Sequence, residues 1–310
     1  MKKLLFIAII LISCSDDKVE RDTDPIYFAE NGVTIRAAEN AEVGEFYELQ
    51  GINYLIVDST SLYQMVAEEL DVTNVVTTRV SRMDSLFSNT SQTPSNFNQN
   101  ISSWDVSNVT NMSNMFLYAT SFNQDISYWD LTNVIDISQM FGGATSFNQD
   151  IGAWDVGNVI KIDGMFGGAT SFNQDIGDWD VSNVSTMNFM FFGATSFNQD
   201  IGDWDVSNVS GMSFVFSQAS SFNQDIGDWN LNSVTSIDGT FGEATSFNQD
   251  ISNWNVSNIS TMNFMFYGAT SFNQNLSSWN VNNVTECSNF SVDTGAWIEP
   301  KPDFINCNPD

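Results

Sequence analysis

The chain reads as an α/β solenoid: a right-handed coil with a parallel sheet along one side and short helical turns along the other. A small α+β cap closes its N-terminal end. Three observations predict this. Trp104, Trp129, Trp154, Trp179, Trp204, Trp229, Trp254 and Trp279 recur every 25 residues. Phe97 and its seven counterparts to Phe272 keep the same step, with no insertion or deletion between them. Within each copy a period-two apolar alternation is followed by apolar residues at helical spacing. A fixed period in the range of roughly 20–50 residues marks an array whose copies bury their apolar sides only against one another.

Residues 1–13 read as a processing segment and lie outside the fold. Lys2 and Lys3 precede an apolar run from Leu4 to Ile12, which is too short to span a bilayer. The run ends in Leu11-Ile12-Ser13-Cys14, which resembles the lipobox of bacterial lipoproteins. That resemblance implies lipidation at Cys14 after removal of a lipoprotein signal peptide, and placement at the outer membrane or cell surface. The alternative is an ordinary secretory signal with a chance cysteine. Ser15-Asp16-Asp17 looks like the acidic export tag of some Bacteroidota lipoproteins. Residues 14–25 form the acylated cysteine and a polar tether, so the membrane would be met through lipid alone.

Residues 26–71 read as the cap. Val33 to Ile35, Phe46 to Leu49 and Tyr54 to Val57 are candidate strands. Gln50 to Asn53 turns the last two into a hairpin. Asp58 or Ser59 can cap a helix from about Thr60 to Leu70. Residues 72–290 carry the repeats, beginning with a degenerate copy at Val75 to Phe87, and residues 291–310 form a C-terminal cap.

One copy reads Ile101-x-x-Trp104-x-Val106-x-x-Val109-x-x-Met112-x-x-Met115-Phe116-x-x-Ala119-x-x-Phe122. Trp104 and Val106 share one face of an expected strand, with Asp105 outward. Met112, Met115, Phe116 and Ala119 share one face of an expected helical turn. A strand and a short helix in 25 residues make a leucine-rich-repeat-like coil. The motif Phe-Asn-Gln-Asp-Ile-Gly-x-Trp-Asp-Val-Ser-Asn-Val-x-x-Met-x-x-Met-Phe resembles the repeat of the BspA-like surface proteins, the DUF285 branch of leucine-rich repeats. The resemblance covers about 70–290. It implies a surface protein that adheres to host or matrix proteins or to other cells, and it supplies no catalytic residue.

Several columns carry candidate chemistry. Asn98 and Asn108, with their counterparts, read as ladders that satisfy turn amides, a ligand role being the alternative. Asp125 and its counterparts read as turn residues. Asp178, Asp180, Asp203, Asp205 and Asp228 should crowd together and repel. They are the candidate cation site, with calcium the cofactor they would suit; the alternative is a solvated acidic face. Phe189, Phe192, Phe214, Phe264 and Tyr267 form a candidate aromatic patch for a partner, unless they pack between copies. Tyr128 is a further candidate among small polar neighbours. Cys287 and Cys307 read as a disulfide in an exported chain, the alternative being two free thiols.

Composition excludes some functions. The net charge is −29, and loss of Lys2 and Lys3 takes it to −31. Between Ser95 and Phe290 the one basic residue is Lys161. Such a surface repels nucleic acid. There is no histidine, the commonest general base. The expectation is a non-enzymatic surface lipoprotein that binds a protein or cell-surface partner. The alternative is a carbohydrate-capturing or cation-stabilised structural lipoprotein.

Overall fold

The computed structural model describes residues 24–295 and 297–309. The expected signal peptide, Cys14 and most of the tether therefore lie outside the described residues.

The N-terminal part is built from two small sheets and a helix. Strands β1 (Ile26–Phe28) and β2 (Ile35–Ala37) pair antiparallel, with Ile26 opposite Ala37. The strand expected at Val33 to Ile35 thus sits two residues later. Asn31 explains the shift, because its side chain accepts from the amides of Val33 and Thr34 and holds that stretch as a turn. Strands β3 (Phe46–Leu49) and β4 (Ile52–Asp58) form the expected hairpin. Its turn is Gln50-Gly51, both at positive φ, the geometry that matches the twist of the flanking strands.

Helix α1 (Ser59–Ala67) starts in a capping box. Asp58 accepts from the Ser61 amide at 2.8 Å, and Ser61 Oγ accepts from the Asp58 amide at 3.0 Å. The helix ends three residues before the expected Leu70. Glu69 turns left-handed at φ 55°, and the amides of Leu70 and Glu69 return to the carbonyls of Met65 and Val66. The Tyr63 hydroxyl donates to the Asp84 carbonyl at 2.6 Å and pins the helix to the first copy. Burial, helped by the Asp84 charge, pushes its pKa up to about 12. Strand β5 (Val75–Arg79) then pairs parallel with β4, so the sheet runs across the expected 71/72 boundary into the degenerate first copy.

From Ile101 onward the copies differ from expectation in local structure. The I-x-x-W-x-V stretch forms no strand and Met112 to Ala119 forms no helix; α1 is the one helix among the described residues. Each copy is instead a chain of tight turns. Met115, Leu117 and Ala119 donate back to Met112, Asn114 and Phe116 at 2.9–3.1 Å. Asn114 and Tyr118 lie at φ 57° and 54°, and a right-handed helix cannot pass through either. The alternating backbone sends every second amide outward. Met112, Asn114, Phe116 and Tyr118 donate to Asp136, Ser138, Met140 and Gly142 of the next copy. The expected parallel sheet is reduced to a single bridge per copy, running from Asn111 through Asp136 and Lys161 to Glu286.

The residues expected in the core are there. Every repeat tryptophan is buried, as is every phenylalanine of the 116 column and of the 122 column from Phe122 onward, while Phe97 at the array's start is half-buried. Phe116 stacks on Phe122 at 3.8 Å and on Phe141 at 5.5 Å, and the pattern repeats to Phe266 and Phe272. Each indole donates inside the stack, as Trp179 does to the Ile151 carbonyl at 3.1 Å. The last copy is covered by the tail. Trp297 meets Phe272 edge-on at 4.8 Å, and Phe304 meets Phe290 at 4.9 Å. Cys287 and Cys307 form a disulfide that closes this cover.

Candidate interaction surface

Two kinds of residue line the outside of the array: those every copy repeats and those that break the repeat. The repeated ones are spent on the backbone. Asn148 Oδ1 accepts from the Asn173 amide and Gln174 Nε2, both at 2.9 Å, and its counterparts do the same from copy to copy. Asn183 Nδ2 donates to the Gly157 carbonyl at 2.7 Å. Where Ser233 replaces asparagine in that column, its hydroxyl donates to the equivalent Ser207 carbonyl.

The outward aspartates are satisfied locally. Asp175 and Asp200 accept from the amides of Gly177 and Gly202. Asp180 and Asp205 accept from the amides of Ser182 and Ser207 at 3.0 Å. Hydrogen bonds from Ser182, side chain first and then amide, hold the Asp180 carboxyl below its ordinary value of 3.8. Those bonds outweigh the opposing repulsion from Asp205. Asp178, Asp203 and Asp228 are exposed beside them. Among the described residues no three acidic or cysteine side chains make a group that could hold a metal ion. Asp180 and Asp205 each give one oxygen to their own following turn, while Asp180 Oδ2 lies toward Gly157 of the preceding copy.

The aromatic candidates do come together. Phe189 and Phe214 stack at 5.0 Å with rings 5° apart, and Phe192 meets Phe189 edge-on at 6.0 Å. Phe214 covers Gly239, where any Cβ would collide with its ring. One copy further on, Phe264 meets Tyr267 edge-on at 6.2 Å. Phe189 is 46% exposed and Phe264 42%. The rings therefore pack partly along the array yet remain open on one side.

Their backbone is unusual. Phe189, Phe214 and Phe264 lie at φ 57–58°, the left-handed position that Gly164, Gly239, Asn114, Asn289 and Gln139 occupy in other copies. A bulky side chain there costs about 1 kcal/mol relative to glycine. The glycines at 143, 164, 168, 193, 239 and 268 were the sequence signal for these turns, and helical spacing alone overrode it. Sequence reasoning also missed Ile135 and Ile160, an exposed apolar pair one period apart. Tyr128, 50% exposed, sits elsewhere, in a cleft beside the N-terminal sheets.

No described helix is long and apolar enough to cross a membrane. Comparison with curated proteins gives no match, and comparison with solved structures gives none. A family model described as "Mycoplasma protein of unknown function, DUF285" matches residues 58–177, 150–242 and 201–297. Those overlapping matches cover most of the chain and coincide with its stacked copies, and the chain belongs to the DUF285 family of repeat proteins.

Proposed function

We propose that this chain is a lipid-anchored surface protein whose copies wind into a rigid right-handed solenoid, and that it binds a protein partner on host, matrix or neighbouring cells through the Phe189–Phe264 row. The observation that carries this reading is the placement of three phenylalanines at left-handed turns. The same position is filled in other copies by Gly164 and Gly239, by Asn114 and Asn289, and once by Gln139; glycine and asparagine tolerate that backbone better than phenylalanine. Their burial is incomplete, since Phe189 is 46% exposed and Phe264 42%. Residues that cost stability and stay on the surface fit a role in contact with something else. Aromatic side chains, phenylalanine and tyrosine among them, are enriched at interface cores. Membership of a family not known for enzymes, together with a chain free of histidine, supports a non-enzymatic role.

The test is an array of matrix and cell-surface proteins probed with the full chain and with the combined variant Phe189→Asn, Phe214→Asn, Phe264→Asn. Asparagine relieves about 1 kcal/mol of backbone strain per site, while loss of the Phe189–Phe214 stack costs about 1 kcal/mol. The variant is expected to melt no lower than the parent and to lose capture of the partner. Equal capture by both chains would sink the row as the binding surface.

The anchor rests on the sequence around Cys14 and has its own experiment. Cells expressing the chain are expected to incorporate labelled palmitate into it, and Cys14→Ser is expected to abolish the label and release the protein from membranes. Unchanged labelling would remove the lipid anchor from the reading.

A further inference from the structure

The cleft at Tyr128 lies away from the aromatic row and is not made by the repeat. It is a half-open cavity of about 890 Å³ between the β1–β2 sheet and the first two full copies. That volume is in the range of small-molecule sites. Its walls are joined rigidly. The Ile35 amide of β2 donates to the Ser103 carbonyl at 2.9 Å, and Ala37 donates to Thr78 Oγ1 at 3.0 Å.

Two departures from the period coincide with this cleft. Tyr128 is the one aromatic residue in a column otherwise filled by Ser103, Ala153, Asp178, Asp203, Asp228, Asn253 and Ser278. Asp105 is the one described member of the outward aspartate column that is buried, at 2% exposure. It accepts from Thr78 Oγ1 at 2.8 Å and from Ser107 Oγ at 2.7 Å. Arg36 crosses the cleft above it, 3.6 Å from Asp105 and 3.9 Å from Asp130. Those separations are longer than hydrogen bonds, so the guanidinium is held by charge with donor capacity to spare. Arg79 donates to the Ala38 carbonyl at 2.8 Å and stands at the same wall.

We propose that this cleft binds a neutral saccharide. Arg36 and Arg79 share the lining with four carboxylates, Asp105, Asp130, Glu30 and Glu39, so an added anion would meet a net negative wall. An added cation would have to compete with Arg36, which already stands at both Asp105 and Asp130. A polyhydroxylated neutral ligand meets neither penalty. Its hydroxyls can accept from Arg36 and Arg79 and donate to Asp130, while the C–H face of a sugar ring lies against Tyr128 and Tyr27. Arginine–carboxylate pairs fixed by a rigid frame give such a ligand its orientation without moving charge.

The experiment is titration of the full chain against a panel of short neutral oligosaccharides, with uronate-containing oligosaccharides as comparators. The same panel is run on Tyr128→Ser, a residue that Ser103 and Ser278 show the column accepts. At least one neutral glycan is expected to bind, and Tyr128→Ser to weaken it about tenfold at an unchanged melting temperature. The Phe189→Asn, Phe214→Asn, Phe264→Asn variant is expected to bind that glycan as the parent does. Binding of uronate-containing glycans alone, no binding by any neutral glycan, or equal binding by Tyr128→Ser would overturn the proposal.

Discussion

Trp179→Ala is expected to destabilise the protein by about 4 kcal/mol, the cost of emptying a large aromatic site in a packed core. Trp179 is 4% exposed and lies mid-array. It stacks parallel to Trp154 at 6.4 Å and meets Phe166 at 6.3 Å. Its indole nitrogen donates to the Ile151 carbonyl, which would be left buried without that donor. Alanine therefore removes packing against the preceding copy and a hydrogen bond to it. In a stack where copies contact only their neighbours, such a defect weakens one interface rather than the whole. Hydrogen exchange should report it as faster exchange of the ladder amides near Met165 and Met190, with smaller changes near Met112 and Met262. Uniform acceleration along the array, or a urea midpoint unmoved from the parent, would contradict this account.

Opening the Cys287–Cys307 disulfide is expected to have the second largest effect. The two cysteines are 20 residues apart, and closing a loop of that size constrains the unfolded chain by about 3 kcal/mol. The bridge also holds the cover of the last copy. Without it the tail that carries Trp297 and Phe304 is tied by the Phe290 amide to the Pro309 carbonyl, by Leu276 to Pro300, by the Trp297 indole to the Gln274 carbonyl, by the Ile298 and Glu299 amides to Asn273 and by Asn306 to the Asn282 carbonyl. Loss of the cover exposes Phe266, Phe272 and Phe290, which are fully buried with it in place. Cys307→Ser, or the parent in reductant, should melt roughly 5–10 °C lower. Limited proteolysis should remove residues 291–310 before it cuts between copies. A tail as resistant in Cys307→Ser as in the parent would mean that aromatic packing alone holds it.

Much of the core was legible in the sequence. The tryptophan and phenylalanine columns could be read as buried because periodicity records which side of the chain meets water. Aspartates between buried residues, such as Asp180 between Trp179 and Val181, were legible as outward for the same reason. The asparagine columns were readable as backbone ladders, because an amide side chain repeated every 25 residues can reach the same atoms of each neighbour. Local conformation was less legible. The spacing of Met112, Met115, Phe116 and Ala119 fits one face of a helix, yet it equally fits consecutive turns that close every three residues. The two differ in the sign of φ at Asn114 and Tyr118, which apolar spacing does not encode. Only the glycines in the equivalent positions of other copies carried that information.

The acidic columns show the same limit. Carboxylates one period apart were expected to face one another and need a counter-ion. Whether they do depends on side-chain direction, and Asp180 and Asp205 follow the nearest unsatisfied amides, those of Ser182 and Ser207. The bond within one turn takes one oxygen because it needs no further ordering of the chain, and it leaves the other, as with Asp180 Oδ2, directed toward the neighbouring copy.

The sequence by itself therefore determined the array: its period, its core, its covered ends and the places where copies disagree. Apolar pattern and repetition suffice for that, since burial follows from which residues water rejects. Only the tertiary structure decided that the inter-copy ladder runs through left-handed turns. It alone brought Arg36 over Asp105 and Asp130, across a sequence gap that no local pattern spans, and so made a cleft around Tyr128. Contacts of that kind depend on how two separately folded faces meet, and neither face carries a sequence mark of the other.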